Sequence, residues 1–144
     1  MQNRQRTIRV RTPWLKVCLE QLMRHLGCAD RELSVLFVND RVMQELNHTY
    51  RQRAYATNVL AFPQEVGGTC GPSTPLLGDV VVSLPTAARE ACALQQSVEE
   101  RVLYLLIHGL LHLLGYDHER SVEDHQRMEA RERELLAVLQ QRLP

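Results

Sequence analysis

The run from Val102 to Tyr116 is the longest apolar stretch of the chain, and it constrains the fold more than any other segment. Leu103, Leu106, Leu110, Leu113 and Leu114 recur at helical spacing, and apolar residues occupy most sides of that helix. Such a helix has no face to offer water and belongs at the centre of a domain. Ser97, with Glu100 three residues on, has the form of a capping box at its start. Gly115 stands where a left-handed C-cap ends a helix. The stretch is too short to span a bilayer and carries His108 and His112.

The remaining elements must wrap this helix. Thr7 to Arg11 alternates and predicts a strand, stopped by Thr12-Pro13. Pro13 suits the first turn of a helix through Trp14, Leu15, Cys18, Leu19, Leu22 and Leu26, with Gly27 as its stop. Leu33 to Val38 predicts a second strand, and Asn39 caps a helix through Val42, Met43, Leu46 and Tyr50. Asn58 to Phe62 predicts a third strand and Gly78 to Leu84 a fourth, apolar enough to be central. Residues 63–75, rich in proline and glycine, form a loop. Pro85 opens a short helix to about Gln96, and an amphipathic helix runs from Val122 to Leu139. This order indicates an α+β fold: one domain over 1–144, with about four strands in a mixed sheet flanked by about five helices.

The chemistry lies at the end of the apolar helix. His108 and His112 are four residues apart, so a helix stacks their imidazoles on one face. Gly115 lets the chain turn and bring His118 to the same point. The spacing H-x-x-x-H-x-x-G-x-x-H is the frame of the metzincin zinc site. Three neutral imidazoles and no fourth protein ligand describe a catalytic zinc site with one position left for water. His25, His48 and His125 lack such framing. Asp117, beside His118, either orients a histidine or is a solvated loop carboxylate. A zinc protease of this frame carries glutamate directly after the first histidine as general base, and here that residue is Gly109. The site therefore favours a reaction that needs charge stabilisation more than proton shuttling, such as phosphoryl transfer. An arginine near the metal would then matter, because its planar fork grips phosphate oxygens in two places.

Composition narrows the partners. There are 17 basic and 17 acidic residues, so binding to a polyanion by bulk charge is excluded. Residues 1–31 nevertheless hold seven basic residues and two acids, a balance of +5, and the remainder carries −5. Sixteen of the basic residues are arginine, and Arg4, Arg6, Arg9 and Arg11 crowd the first expected strand, where an RNA track is expected. The N-terminus lacks the apolar region of a secretory signal. Cys18, Cys28, Cys70 and Cys92 show no Cys-x-x-Cys spacing and read as reduced, small buried hydrophobes in a cytoplasmic chain.

On these motifs the sequence resembles the YbeY family of bacterial zinc-dependent endoribonucleases. The family pattern H-G-x-L-H-L-x-G-Y-D-H is matched at every fixed position by residues 108–118. L-N-x-x-Y-R is matched at Leu46, Asn47, Tyr50 and Arg51, and L-G-D at Leu77, Gly78 and Asp79. T-D/N-V-L-S-F-P is matched over 57–63, except that Ala61 replaces the usual serine. The resemblance implies one zinc on His108, His112 and His118, and a cleft arginine at Arg51. It further implies cleavage of single-stranded RNA in maturing the 3′ end of small-subunit (16S) ribosomal RNA and in ribosome quality control. RNA of the small ribosomal subunit is then the partner, with neither DNA nor a membrane expected. Two other classes share the metal frame: a zinc protease or amidase, separated by activity on peptide, and a zinc-stabilised RNA-binding module, separated by metal content without turnover.

Overall fold

The computed structural model describes residues 1–5, 7–51, 57–63, 76–116 and 121–142, with the side chains of 51 and 140–142 outside that description. The elements run β1 (Gln2–Asn3), α1 (Thr12–His25), β2 (Glu32–Val38), α2 (Asp40–Arg51), β3 (Val59–Pro63), β4 (Leu76–Ser83), α3 (Leu84–Ala93), α4 (Val98–Leu113) and α5 (Val122–Arg142). The strands form one mixed sheet in the order β1-β2-β4-β3. β1, β2 and β4 run parallel, and β3 pairs antiparallel with β4. The expected α+β class and the central place of β4 follow from this topology.

Alternation along the strands sorts the core onto the two faces of the sheet. Val35, Phe37, Val80 and Val82 turn toward the main core, which buries them with Leu15 and Leu22 of α1, Ala87 of α3, Leu106 and Leu110 of α4, and Leu135 of α5. Val38, Leu60 and Val81 turn the other way and pack under α2 on Met43. Near the start of β4 the register slips: Glu32 opposes Leu76, but Leu33 opposes Gly78. The extra residue is Leu77, and this β-bulge lets it enter the main core, where it is 4% exposed.

The expected first strand is corrected. Thr7 to Arg11 is not a strand; pairing is confined to Gln2 and Asn3, which oppose Leu36 and Phe37. The cause is the buried side-chain amide of Gln5. Its oxygen accepts from the backbone N–H of Thr7 and Ile8, and its nitrogen donates to the Ile8 carbonyl at 2.7 Å. Those backbone groups are therefore unavailable to a ladder. Ile8 and Val10 still pack on the core, so their alternation marked burial without pairing. Arg11 lies near Glu99 of α4 at 3.6 Å. Glu99 and His108 are separated by nine residues of helix, about 14 Å. Arg6 lies outside the described residues.

Local rules place most helix ends. Asn39 accepts from the Val42 N–H at 2.9 Å as the cap of α2. Ser97 accepts from the Glu100 N–H at 3.1 Å as the cap of α4. The helix after β4 ends at Ala93, short of Gln96, and α5 extends to Arg142. Cys18 and Cys28 are buried as expected, whereas Cys92 is exposed. Of the loop expected over 63–75, Pro63 instead closes β3, and residues 64–75, Cys70 among them, lie outside the described residues. Among the described residues no helix is long and apolar enough to cross a membrane.

Asp40 ties α2 to the start of α3. Its carboxylate accepts from the hydroxyls of Ser83 and Thr86 and pairs with Arg89 at 2.8 Å. Burial pushes its pKa up, but the hydrogen bonds from Ser83, Thr86 and Arg89 outweigh that and hold it below the usual carboxylate range. Asp40→Asn is expected to cost about 1 kcal/mol at neutral pH, limited by solvent screening of a side chain that is 36% exposed. A depressed folded pKa contributes stability that is complete above the unfolded value and lost as pH falls through the folded one. Urea denaturation should therefore show the gap between wild type and variant closing below about pH 3.9.

Candidate metal centre

The site is built on one stripe of α4. Ser97 fixes where the helix begins, and nine residues from Val102 to Leu113 are buried, which locks its rotation against the sheet. Arg101, Tyr104, His108 and His112 follow at three- and four-residue steps, so they share one face. The rings of His108 and His112 lie 4.8 Å apart at 70°, edge to face. Both histidines are half-buried.

Beyond His112 the helix ends as the glycine requires. Gly115 has φ 101°, a conformation that side chains rarely adopt. The Gly115 N–H donates to the His112 carbonyl and the Tyr116 N–H to the Leu111 carbonyl, both at 3.0 Å. This is the paired bonding of a Schellman motif. Tyr116 is the last described residue before His118. His118 and Asp117 themselves lie outside the described residues.

A carboxylate completes the described part. His108 Nδ1 lies 3.1 Å from Glu132 Oε1 of α5, within hydrogen-bond distance, and the Glu132 side chain is 6% exposed. Tyr104, one turn before His108, stacks on its ring at 6.5 Å and 28°, and its hydroxyl lies beside the Glu132 carboxylate. Burial, and after it the Glu132 carboxylate, pushes the Tyr104 phenol up to about 12. Arg101 lies over the Tyr104 ring at 4.8 Å and pairs with Glu90 of α3 at 2.9 Å. Asn58, at the mouth of β3, donates to the same Glu90 at 3.2 Å.

Glu132 was not among the residues singled out from sequence. It sits in the charged run Arg131-Glu132-Arg133-Glu134, which reads as a solvated face. Yet Met128, Leu135 and Leu139, at −4, +3 and +7 from it, are all buried. That spacing puts Glu132 in the apolar stripe of α5, and a glutamate in such a stripe is the signal that could have found it.

Gly109 has a packing reason. A Cβ there would sit 2.7 Å from Val80 Cγ1 and 3.1 Å from Val80 Cγ2 of the central strand. The position that holds the glutamate base in zinc proteases is pressed against the sheet.

Arg51 closes α2, which packs on the sheet face opposite α4. Its side chain lies outside the described residues, so its reach toward the histidines is an expectation. Nearby Asn47 is 1% exposed, and Tyr50 meets Phe62 edge to face at 5.2 Å. Ala61 opposes Val80 across the β3–β4 pair and packs on the main core, so a serine hydroxyl there would face the α4 side.

The donor set fits a metal. With Nδ1 of His108 committed to a buried carboxylate, Nε2 is left as the lone-pair donor, the usual arrangement of a metal-ligating histidine. Among the described residues no group of three or more potential ligands occurs, the third histidine being outside them.

The family model described as Endoribonuclease YbeY matches residues 1–140. A curated Endoribonuclease YbeY of Syntrophotalea carbinolica is 42% identical over 98% of this chain and 95% of its own length. One from Geobacter metallireducens is 42% identical over 96% of this chain and 93% of its own. A solution structure of a Thermotoga maritima protein shares the fold, with TM-score 0.67 and 24% identity over 97% of this chain and 89% of that one. A family match over residues 1–140 and relatives of almost equal length lead to one conclusion: the chain belongs to the YbeY endoribonuclease family.

Proposed function

We propose that residues 1–144 form one domain that acts as a zinc-dependent endoribonuclease. Its substrate is single-stranded RNA, and its task is maturation of the 3′ end of small-subunit ribosomal RNA and ribosome quality control in the cytoplasm. One observation carries the reading: a histidine pair backed by a buried carboxylate, at a helix position where a glutamate base cannot be housed. Membership of a family whose curated relatives are named endoribonucleases supports RNA as the substrate.

His108, His112 and His118 would hold the zinc. When bound there, zinc supplies Lewis acidity to a phosphodiester and its attacking oxygen. The chain's own residues do the rest. Glu132 and Tyr104 fix the first imidazole, and the Schellman turn at Gly115 directs the chain toward His118. Arg51 neutralises charge that builds on the phosphoryl oxygens, with a planar fork suited to two of them. Arginines of the N-terminal segment hold the RNA strand farther from the centre, since the Arg11 contact is at the opposite end of α4.

Elemental analysis followed by cleavage of ribosomal RNA, with and without chelator, tests this. Zinc near one per chain and chelator-sensitive cleavage are expected. Undiminished cleavage by metal-free protein, or hydrolysis of peptide instead of RNA, would overturn it. Arg51→Ala is expected to keep its zinc and lose about 10²–10³-fold in kcat, the scale of removing one charge-stabilising donor. Unchanged turnover in that variant removes Arg51 from the mechanism.

A further inference from the structure

We infer that Glu132 is a positioning residue of the metal centre, holding His108 in the tautomer whose Nε2 faces the metal, with Tyr104 packed on the same imidazole. The inference rests on the reading of His108 as a zinc ligand and adds a residue on another helix to it.

The location of Glu132 needs an explanation. Its neighbours along the inner stripe of α5 are Met128, Leu135 and Leu139, each at most 3% exposed. A leucine at 132 would continue that stripe without desolvating a charge. A buried carboxylate costs several kcal/mol unless it is well partnered. One partner comes from the facing stripe of α4, His108 Nδ1 at 3.1 Å, and the Tyr104 hydroxyl lies beside the same carboxylate. An ionised carboxylate only accepts, so a ring nitrogen at that distance must donate to it. The proton of neutral His108 is therefore drawn to Nδ1, which makes Nε2 the nitrogen that carries the lone pair a metal needs. Tyr104, stacked on the imidazole at 28°, also restrains rotation of the ring. Arg101, bound to Glu90 and lying over the tyrosine ring, secures Tyr104 in turn. Packing of α4 against α5 thus becomes a condition for binding metal.

The test uses the full chain and zinc alone. Zinc affinity is measured by competition with a chromophoric chelator for wild type, Glu132→Leu, Glu132→Gln and a His112→Ala control. Thermal melts of the metal-free proteins and ¹⁵N shifts of the His108 imidazole in metal-free wild type accompany it. Glu132→Leu is expected to lose about 10–100-fold in zinc affinity while still melting cooperatively. Glu132→Gln keeps an acceptor oxygen without the charge, and recovers part of that loss. The wild-type spectrum should show Nδ1 protonated and Nε2 bare. A His108 proton on Nε2, or both Glu132 variants within about twofold of wild type, overturns the inference alone. Wild-type affinity no higher than that of His112→Ala overturns the metal reading and the inference together. Should Glu132→Leu fail to fold, Glu132→Gln and the wild-type tautomer decide.

Discussion

His112→Ala is expected to give a folded protein with no stoichiometric zinc and with RNA cleavage at background. The loss in kcat/KM should be about 10³-fold or more, because a Lewis acid contributes several kcal/mol to the transition state. His112 lies in the last turn of α4, half-buried, 4.8 Å ring to ring from His108. The anchors of the helix lie elsewhere: Val102, Leu106, Ile107, Leu110 and Leu111 are fully buried. The fold therefore does not depend on this imidazole, and circular dichroism should match wild type. His108→Ala is a poorer probe, because it also strips a donor from the buried Glu132 carboxylate, so metal loss and destabilisation would arrive together. Elemental analysis, a thermal melt and cleavage of ribosomal RNA read the three consequences of His112→Ala separately. Retained cleavage in a metal-free variant would sink the zinc-centred mechanism.

Much of the site was legible because it rests on local rules. A Ser-x-x-Glu start, a glycine stop and imidazoles at i and i+4 are each decided within a turn or two of helix, and the structure places Ser97, Gly115, His108 and His112 accordingly. What escaped depends on partners distant in the chain or on side chains that replace backbone bonds. Glu132 meets His108 across 24 residues, and its burial is hidden by Arg133 and Glu134, which do face water. The strand expected at Thr7–Arg11 failed because one side-chain amide, Gln5, captured the backbone groups that pairing would use. The bulge at Leu77 is likewise a property of two strands in register and has no signature in either alone. The absence of a base after the first histidine was legible as chemistry, but its cause was not: Gly109 is dictated by Val80, which lies 29 positions earlier.

That contact makes Gly109 the second sensitive position. Gly109→Ala would ordinarily stabilise a helix by about 1 kcal/mol. Here its Cβ meets Val80 Cγ1 at 2.7 Å, Cγ2 at 3.1 Å and Cβ at 3.5 Å. Rotating Val80 turns one methyl away but leaves the other against the new Cβ, so α4 and β4 must still give way. Overpacking of this kind costs about 1–3 kcal/mol, which leaves a net destabilisation once the propensity gain is offset. Gly109→Glu adds the desolvation of a carboxylate against the sheet and should cost several kcal/mol more. Urea denaturation of Gly109→Ala in the wild-type and Val80→Ala backgrounds isolates the contact. The penalty should shrink by more than about 0.5 kcal/mol when the valine methyls are gone. Equal penalties in both backgrounds would show that Val80 is not the obstacle. The consequence for chemistry is the larger one. Gly109→Glu restores the residue pattern of a zinc protease yet is expected to yield a poorly folded protein with no peptide hydrolysis. A stable Gly109→Glu variant that cleaves peptide would mean that the sheet does not exclude the base. The packing of α4 on β4 would then no longer explain why this metal frame serves RNA.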